Sequence, residues 1–186
     1  MLDAEFNAQL GQFIGRTFPG ARLTDAQQLT AGASQQTFRV SVRHPEGHEA
    51  DYALRRAQPG LERSSYGQVT PSVEAELLAL ASSAHVPVPK VIESLHSTDG
   101  LGDGYLMEWL QGETMGQRIV KLPELESARE NLAFECGQAL ARIHAIEVPK
   151  RLQEVLHSVS PVELVRETWE AYIALETPQP MIDFTA

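Results

Sequence analysis

The spacing of apolar residues predicts a β-rich first part of the chain and a helical second part. An N-terminal helix is predicted because apolar residues recur there at helical spacing until Pro19-Gly20 stops the pattern. Strands are then predicted over residues 23–29, 37–42 and 51–55, with a hairpin at residues 44–49 between the last two. The helical positions are Leu2, Phe6, Leu10, Phe13 and Ile14.

A second group of elements follows a polar loop at residues 58–71. A helix is predicted over residues 73–84, and the sequence Val-Pro-Val-Pro at 86–89 forces an extended segment because proline disfavours helix at the residue before it. Two further strands are predicted over residues 90–95 and 105–110, joined by a glycine-rich turn.

From Gly112 onward the apolar period is helical. Helices are predicted over residues 114–120, 125–146, 151–157 and 161–175. The longest has an apolar stripe in which Cys136 is expected to be a buried filler. We therefore place a boundary near Gln111-Gly112, which divides the chain into residues 1–111 and 112–186.

Composition narrows the classes of partner. The net charge of −10 over 186 residues argues against nucleic acid, which requires clustered lysine and arginine. The single cysteine excludes an internal disulfide and is compatible with a reducing compartment. No signal peptide is visible, and no stretch approaches the roughly 18 apolar residues of a membrane span. A cytoplasmic protein with no membrane partner is predicted.

The candidate chemistry lies in residues 29–40, Leu-Thr-Ala-Gly-Ala-Ser-Gln-Gln-Thr-Phe-Arg-Val, and in Tyr-Ala-Leu-Arg-Arg at 52–56. A glycine-containing turn between strands can direct backbone N–H groups at a phosphate. A cation on the next strand, Arg55, can reach the same phosphates, whereas Arg56 is predicted to point to the opposite face. A plain hairpin turn and two solvated arginines at a strand end remain the alternative.

Five features follow one another along the chain: the turn, the strand cation, a helix acid, Val-Pro-Val-Pro, and Leu-Met-Glu-Trp-Leu-Gln-Gly-Glu-Thr at 106–114. Their order resembles that of the aminoglycoside phosphotransferase-like, or kinase-like, family. The sequence is most similar to the branch found with acyl-CoA dehydrogenases, over residues 23–146. The resemblance implies an α+β fold: a protein-kinase-like N-lobe, with an antiparallel sheet and one helix, followed by the first helices of an α-helical C-lobe.

The resemblance also implies a set of ATP-binding residues. Backbone amides of the turn would cover the phosphates, Arg55 would contact them, and Glu74 would pair with Arg55, with Glu76 as the competing acid. Adenine would be held by the Glu108 carbonyl and the Leu110 N–H, beside Trp109. The turn residues are Gly32, Ala33, Ser34 and Gln35.

The catalytic loop of the family is not found in the sequence. The family form is His-Gly-Asp-x-x-x-x-Asn, yet none of the six histidines has an aspartate two residues later. The only asparagines are Asn7 and Asn131, and Asp183 is the only aspartate after His144. We therefore expect no catalytic or metal-binding residue in this chain, and Mg²⁺ only in a full-length homologue.

Three hypotheses follow. The first is an ATP-dependent small-molecule kinase, present as a fragment that is inactive alone. The second is a catalytically inactive nucleotide-binding or partner-binding module, and the third is an α+β binding protein without nucleotide. The acceptor stays open among aminoglycosides, hydroxyacyl thioesters, choline-like alcohols and sugars. An exposed helical face that could support an oligomer is expected along Leu132, Leu140, Ile143, Trp169 and Tyr172.

Overall fold

The computed structural model describes residues 3–29, 35–59, 69–156 and 160–174. Contacts within the chain divide it into two units, Met1–Val148 and Pro149–Ala186. The described strands all belong to the first unit.

The strands form one sheet in the order β1-β2-β3-β5-β4, and every neighbouring pair is antiparallel. The longest ladder joins β2 and β3, and it runs without interruption from Gln35 opposite Ala57 to Arg43 opposite Glu49. The predicted antiparallel sheet is confirmed. Its strands are β1 (Arg22–Leu29), β2 (Gln35–Arg43), β3 (Glu49–Ala57), β4 (Val91–Ser94) and β5 (Gly104–Glu108).

Helix α1 (Ala4–Thr17) covers one face of the sheet. Asp3 caps it by accepting a hydrogen bond from the Glu5 N–H. Four of the predicted apolar positions of the helix, Phe6, Leu10, Phe13 and Ile14, are buried against alternate residues of the strands, so this face carries the main core. The fifth, Leu2, lies outside the described residues. Its fully buried members are Leu10, Phe13, Ile14, Phe38, Val40, Val42, Leu54, Leu101 and Leu106.

Helix α2 (Pro71–Ser83) packs on β3, β4 and β5. Thr70 caps its N-terminus by accepting from the Val73 N–H, and Pro71 occupies the first turn, where its missing N–H costs nothing. At the other end the Val86 N–H donates to the Ala81 carbonyl, and Arg142 donates to the His85 carbonyl at 3.0 Å. Both ends of α2 are therefore fixed.

After Gly112 every regular element among the described residues is a helix, as predicted. The first unit holds α3 (Gly116–Lys121) and α4 (Glu126–His144), and the second holds α5 (Lys150–Val155) and α6 (Pro161–Ala174). The domain boundary predicted near Gln111-Gly112 stays a prediction. In the described part of the chain, no helix combines the length and the apolar character that crossing a membrane requires.

The prediction that Cys136 is buried is wrong. Cys136 is exposed, and α4 has no buried residue. Its apolar stripe is instead largely exposed, with Leu132, Leu140 and Ile143 all open to solvent. Four of the five residues predicted to form an open apolar face are exposed, namely Leu132, Leu140 and Ile143 in the first unit and Trp169 in the second. Tyr172 is half-buried.

Candidate functional site

The strand register decides which side chains share a face with Arg55. On β3, Arg55 lies opposite Thr37 of β2 and Tyr105 of β5. Successive side chains of a strand point to opposite faces. Because Leu54 is in the core under α1, Arg55 lies on the other face, on the side of α2.

An ion pair joins this face of the sheet to α2. Arg55 Nε lies 3.4 Å from Glu74 Oε2, and the two side chains are 37% and 23% exposed. Glu74 is in the first turn of α2, where the helix dipole stabilises a negative charge. The structure thus pairs Arg55 with Glu74 rather than with Glu76, as the sequence predicted, while the function of the pair in binding stays a prediction.

Two further side chains complete the contacts of this pair. Gln35 Oε1 accepts a short hydrogen bond from Arg55 Nε, and Gln35 Nε2 donates to Glu74 Oε2 at 3.2 Å. Tyr105 is only 1% exposed, and it lies opposite Arg55 in the β3–β5 ladder, close enough to Glu74 for the charge of that carboxylate to affect the phenol. Burial, and then the negative charge of Glu74, raise the pKa of Tyr105 well above its ordinary value, so the phenol stays protonated.

These two contacts were not predicted from the sequence. Gln35 was predicted to contribute a backbone amide, and Tyr105 was not a candidate residue. The available signal was that both lie on predicted strands beside the strand of Arg55, where cross-strand neighbours on one face touch. The register needed to identify the neighbours is a property of the folded sheet.

The terminal nitrogens of Arg55 make no contact with the residues that the structure describes. Its recorded contacts all run through Nε, and neither Nη1 nor Nη2 has a hydrogen-bond or ion-pair partner among the residues that the structure describes. A guanidinium presents its N–H donors in a planar fork that matches a phosphate or carboxylate. Arg55 is therefore held by the protein on one side and available to an anion on the other.

Arg56, the next residue, has two of its three side-chain nitrogens hydrogen-bonded within the protein. Its Nε donates to Gln36 Oε1 at 2.9 Å and its Nη1 donates to the Leu101 carbonyl at 3.1 Å. Its guanidinium carbon lies 4.5 Å from the centre of the Phe6 ring. Burial lowers the pKa of Arg56 from its ordinary value. The prediction that the two arginines point to opposite faces is confirmed.

The predicted adenine segment begins where β5 ends. The strand ends at Glu108, two residues short of the predicted limit. This end of the strand is hydrogen-bonded to Lys90. The Glu108 N–H donates to the Lys90 carbonyl at 2.9 Å, and Glu108 Oε1 accepts from the Lys90 N–H at 2.9 Å. Leu110 is 58% exposed, and within the described residues its N–H has no partner, so a backbone donor is open there.

Trp109 is held against the sheet by a cluster that the sequence did not reveal. The guanidinium carbon of Arg39 lies 5.5 Å from the Trp109 ring centre, and Arg39 is paired with Asp51. The Ser41 hydroxyl donates to Asp51 at 2.6 Å. Hydrogen bonds from Arg39 and Ser41 hold the pKa of Asp51 below its ordinary value. The ring next to the open Leu110 donor thus has a defined position.

The remaining predicted residues lie outside the described part of the chain. These are Gly32, Ala33 and Ser34 of the turn, and Asp183. In the described ranges no group of three or more histidine, cysteine, aspartate or glutamate side chains could hold a metal ion. The described residues accordingly fit a phosphate group at Arg55, and they do not form a metal site.

An antiparallel five-stranded sheet followed by helices has the arrangement of a kinase-like N-lobe and the start of its helical lobe. The chain belongs to the phosphotransferase enzyme family (APH), whose model matches residues 25–184. The match contains Gln35, Arg55, Glu74 and Tyr105. A comparison with curated proteins finds no match. The family predicted from the sequence and its kinase-like fold are thereby confirmed.

Proposed function

We propose that this chain is the nucleotide-binding part of an ATP-dependent phosphotransferase that acts on a small-molecule alcohol. The observation that carries the proposal is Arg55, which is fixed through Nε by Gln35 and Glu74 while neither terminal nitrogen has a partner among the described residues. A permanent cation held in this way on a strand suits the charge of a nucleotide phosphate. The family supports phosphotransfer as the reaction class.

In this proposal the phosphates and the adenine of the nucleotide bind at two different places on the sheet. The backbone amides of Gly32, Ala33, Ser34 and Gln35 cover the phosphates, which Arg55 contacts, and Glu74 keeps Arg55 in place. The adenine is held by the Glu108 carbonyl and the Leu110 N–H. The open Leu110 N–H and the fixed Trp109 ring support that assignment. A cytoplasmic location and the branch associated with acyl-CoA dehydrogenases belong to the proposal too.

A second candidate function is nucleotide binding without turnover, as in a catalytically inactive or partner-binding module. The observation in its favour is the sequence itself, which has no histidine followed two residues later by aspartate. Phosphoryl transfer depends on positioning and on charge stabilisation by bound metal ions. The 186 residues alone are therefore expected to bind nucleotide and not to hydrolyse or transfer its phosphate. Turnover of ATP with Mg²⁺ and a panel of alcohols is the measurement, and clear turnover would contradict the expectation.

The central test is a calorimetric titration of the purified chain with ADP and with adenosine. Arg55→Ala is expected to weaken ADP about tenfold or more, since about 1.4 kcal/mol suffices for that factor, and to leave adenosine binding unchanged. Arg22→Ala is the matched control, because it removes an equal charge from an exposed position on β1. Wild-type protein that does not bind ADP, or equal ADP affinity of wild type and Arg55→Ala, would refute the proposed site.

A further inference from the structure

The side-chain amide of Gln35 lies between the two members of the ion pair. We propose that Gln35 is a positioning residue, whose amide orients the Arg55 guanidinium so that its terminal nitrogens face the nucleotide phosphates. The proposal rests on the proposed function, because it assigns Arg55 to those phosphates. Nothing in the family match identifies this residue.

The geometry is a closed set of three contacts. Gln35 Oε1 accepts a hydrogen bond from Arg55 Nε, and Gln35 Nε2 donates one to Glu74 Oε2 at 3.2 Å. The same Glu74 oxygen lies 3.4 Å from Arg55 Nε. A guanidinium is planar, so fixing the Nε edge also fixes the direction of the terminal nitrogens. If Arg55 contacted Glu74 alone, the plane of its guanidinium could rotate.

The chemistry of the contacts selects an amide of this length. One side of the residue must accept a proton from a guanidinium, while the other must donate a proton to a carboxylate, and the glutamine amide does both. A glutamate of the same shape can only accept, and its charge would repel Glu74. Asparagine is one methylene shorter. Both contacts therefore depend on the chemical type of the side chain and not only on its volume.

The position of Gln35 in the fold suits the same function. It is the first residue of β2, and it lies opposite Ala57 at the end of the β2–β3 ladder. A competing interpretation is that the Gln35 side chain occupies the position of a phosphate group and is displaced when the nucleotide binds. The contact favours positioning, because Gln35 binds Nε, whereas Nη1 and Nη2 have no partner among the described residues and can contact the ligand.

The test compares ADP with adenosine by calorimetry in three variants that are first shown to fold by circular dichroism. Gln35→Ala is expected to weaken ADP about tenfold and to change adenosine by less than twofold. Gln35→Glu, which keeps the shape, is expected to weaken ADP at least as much. Gln36→Ala is the matched control, because Gln36 makes the equivalent contact to Arg56 on the other face, and its ADP affinity is expected to stay at the wild-type value.

Three results would overturn the proposal. Tighter ADP binding by Gln35→Ala would show that the Gln35 side chain competes with the phosphate. Unchanged ADP binding would show that Gln35 does not position Arg55 for the nucleotide. Equal losses of affinity for ADP and for adenosine would indicate a general structural effect. A second readout is the exchange rate of the Arg55 Hε proton by NMR without nucleotide. We expect slow exchange in wild type and Gln36→Ala and fast exchange in Gln35→Ala.

The two readouts separate failure of this proposal from failure of the proposed function. If the wild-type chain does not bind ADP, the proposed function is refuted, and the assignment of Arg55 to phosphate is refuted with it. The Hε exchange rate then still decides whether Gln35 holds the guanidinium. If ADP binds and Hε exchange is the same in all variants, only the positioning of Arg55 by Gln35 is refuted.

Discussion

Arg55 and Arg56 are adjacent on β3 and differ in nearly every contact. Arg56 lies on the α1 face, where two of its nitrogens are hydrogen-bonded and the Phe6 ring lies within cation–π distance. Arg55 lies on the α2 face, where its contacts with the described residues all run through Nε. The contacts of Arg56 are typical of a cation that stabilises the fold. The terminal nitrogens of Arg55 have no partner among the described residues, which supports the proposed contact with a ligand.

The same contrast extends over the whole sheet. The α1 face is apolar and closed, with Phe38, Val40 and Leu54 almost completely buried. The α2 face carries charged and polar contacts, among them the pair of Arg55 with Glu74 and the pair of Arg39 with Asp51. Substitutions on the first face should therefore change the free energy of unfolding, and substitutions on the second should change ligand affinity.

The largest effect is expected from Leu10→Ala on α1. Leu10 is fully buried in the core, and truncating such a leucine costs about 3 kcal/mol through lost burial and the cavity left behind. Urea unfolding measures the loss, while the ADP affinity of the folded variant should stay unchanged. Gln12→Ala, at an exposed position of the same helix, should change stability by less than about 0.5 kcal/mol. A small loss for Leu10→Ala would mean that α1 contributes little to the closed face.

The sequence predicted the elements because apolar period and turn residues are local signals. It also predicted the Arg55–Glu74 pair, since the resemblance supplied both positions. The contacts of Gln35 could not be predicted, because they join residues 20 and 39 positions apart and depend on the register of β2 against β3. Cys136 was assigned wrongly for a related reason: an apolar stripe indicates which side of a helix prefers burial, and burial requires a second element to cover it.

An intermediate effect is expected from Arg56→Ala. The change removes both hydrogen bonds and the contact with Phe6, and it leaves the Leu101 carbonyl without its donor. Hydrogen bonds from charged groups contribute about 1.5–3 kcal/mol, so a loss of about 2 kcal/mol in unfolding free energy is expected. Denaturant unfolding measures it, and ADP titration of the folded variant should match wild type. Should Arg56→Ala instead weaken ADP and leave stability intact, the assignment of the two arginines to their faces would be reversed.

The smallest effect is expected from Asp99, which lies on the α1 side and accepts from Arg16 Nη2 at 2.9 Å and from the His96 N–H at 2.7 Å. Burial alone would raise the pKa of Asp99, but the hydrogen bonds from Arg16 and the His96 N–H outweigh it, and the pKa is below its ordinary value. A carboxyl whose pKa is lowered by folding stabilises the protein fully above its unfolded pKa of about 3.9, and the contribution is lost as the pH falls through the folded pKa. Because the pair is partly exposed, the contribution should be below about 1 kcal/mol.

Urea unfolding between about pH 5 and pH 2 should therefore show a steeper loss of stability for wild type than for Asp99→Asn. Asp25→Asn, at an exposed position on β1, should keep the wild-type slope. Equal slopes for wild type and Asp99→Asn would show that the contact of Arg16 with Asp99 does not stabilise the closed face.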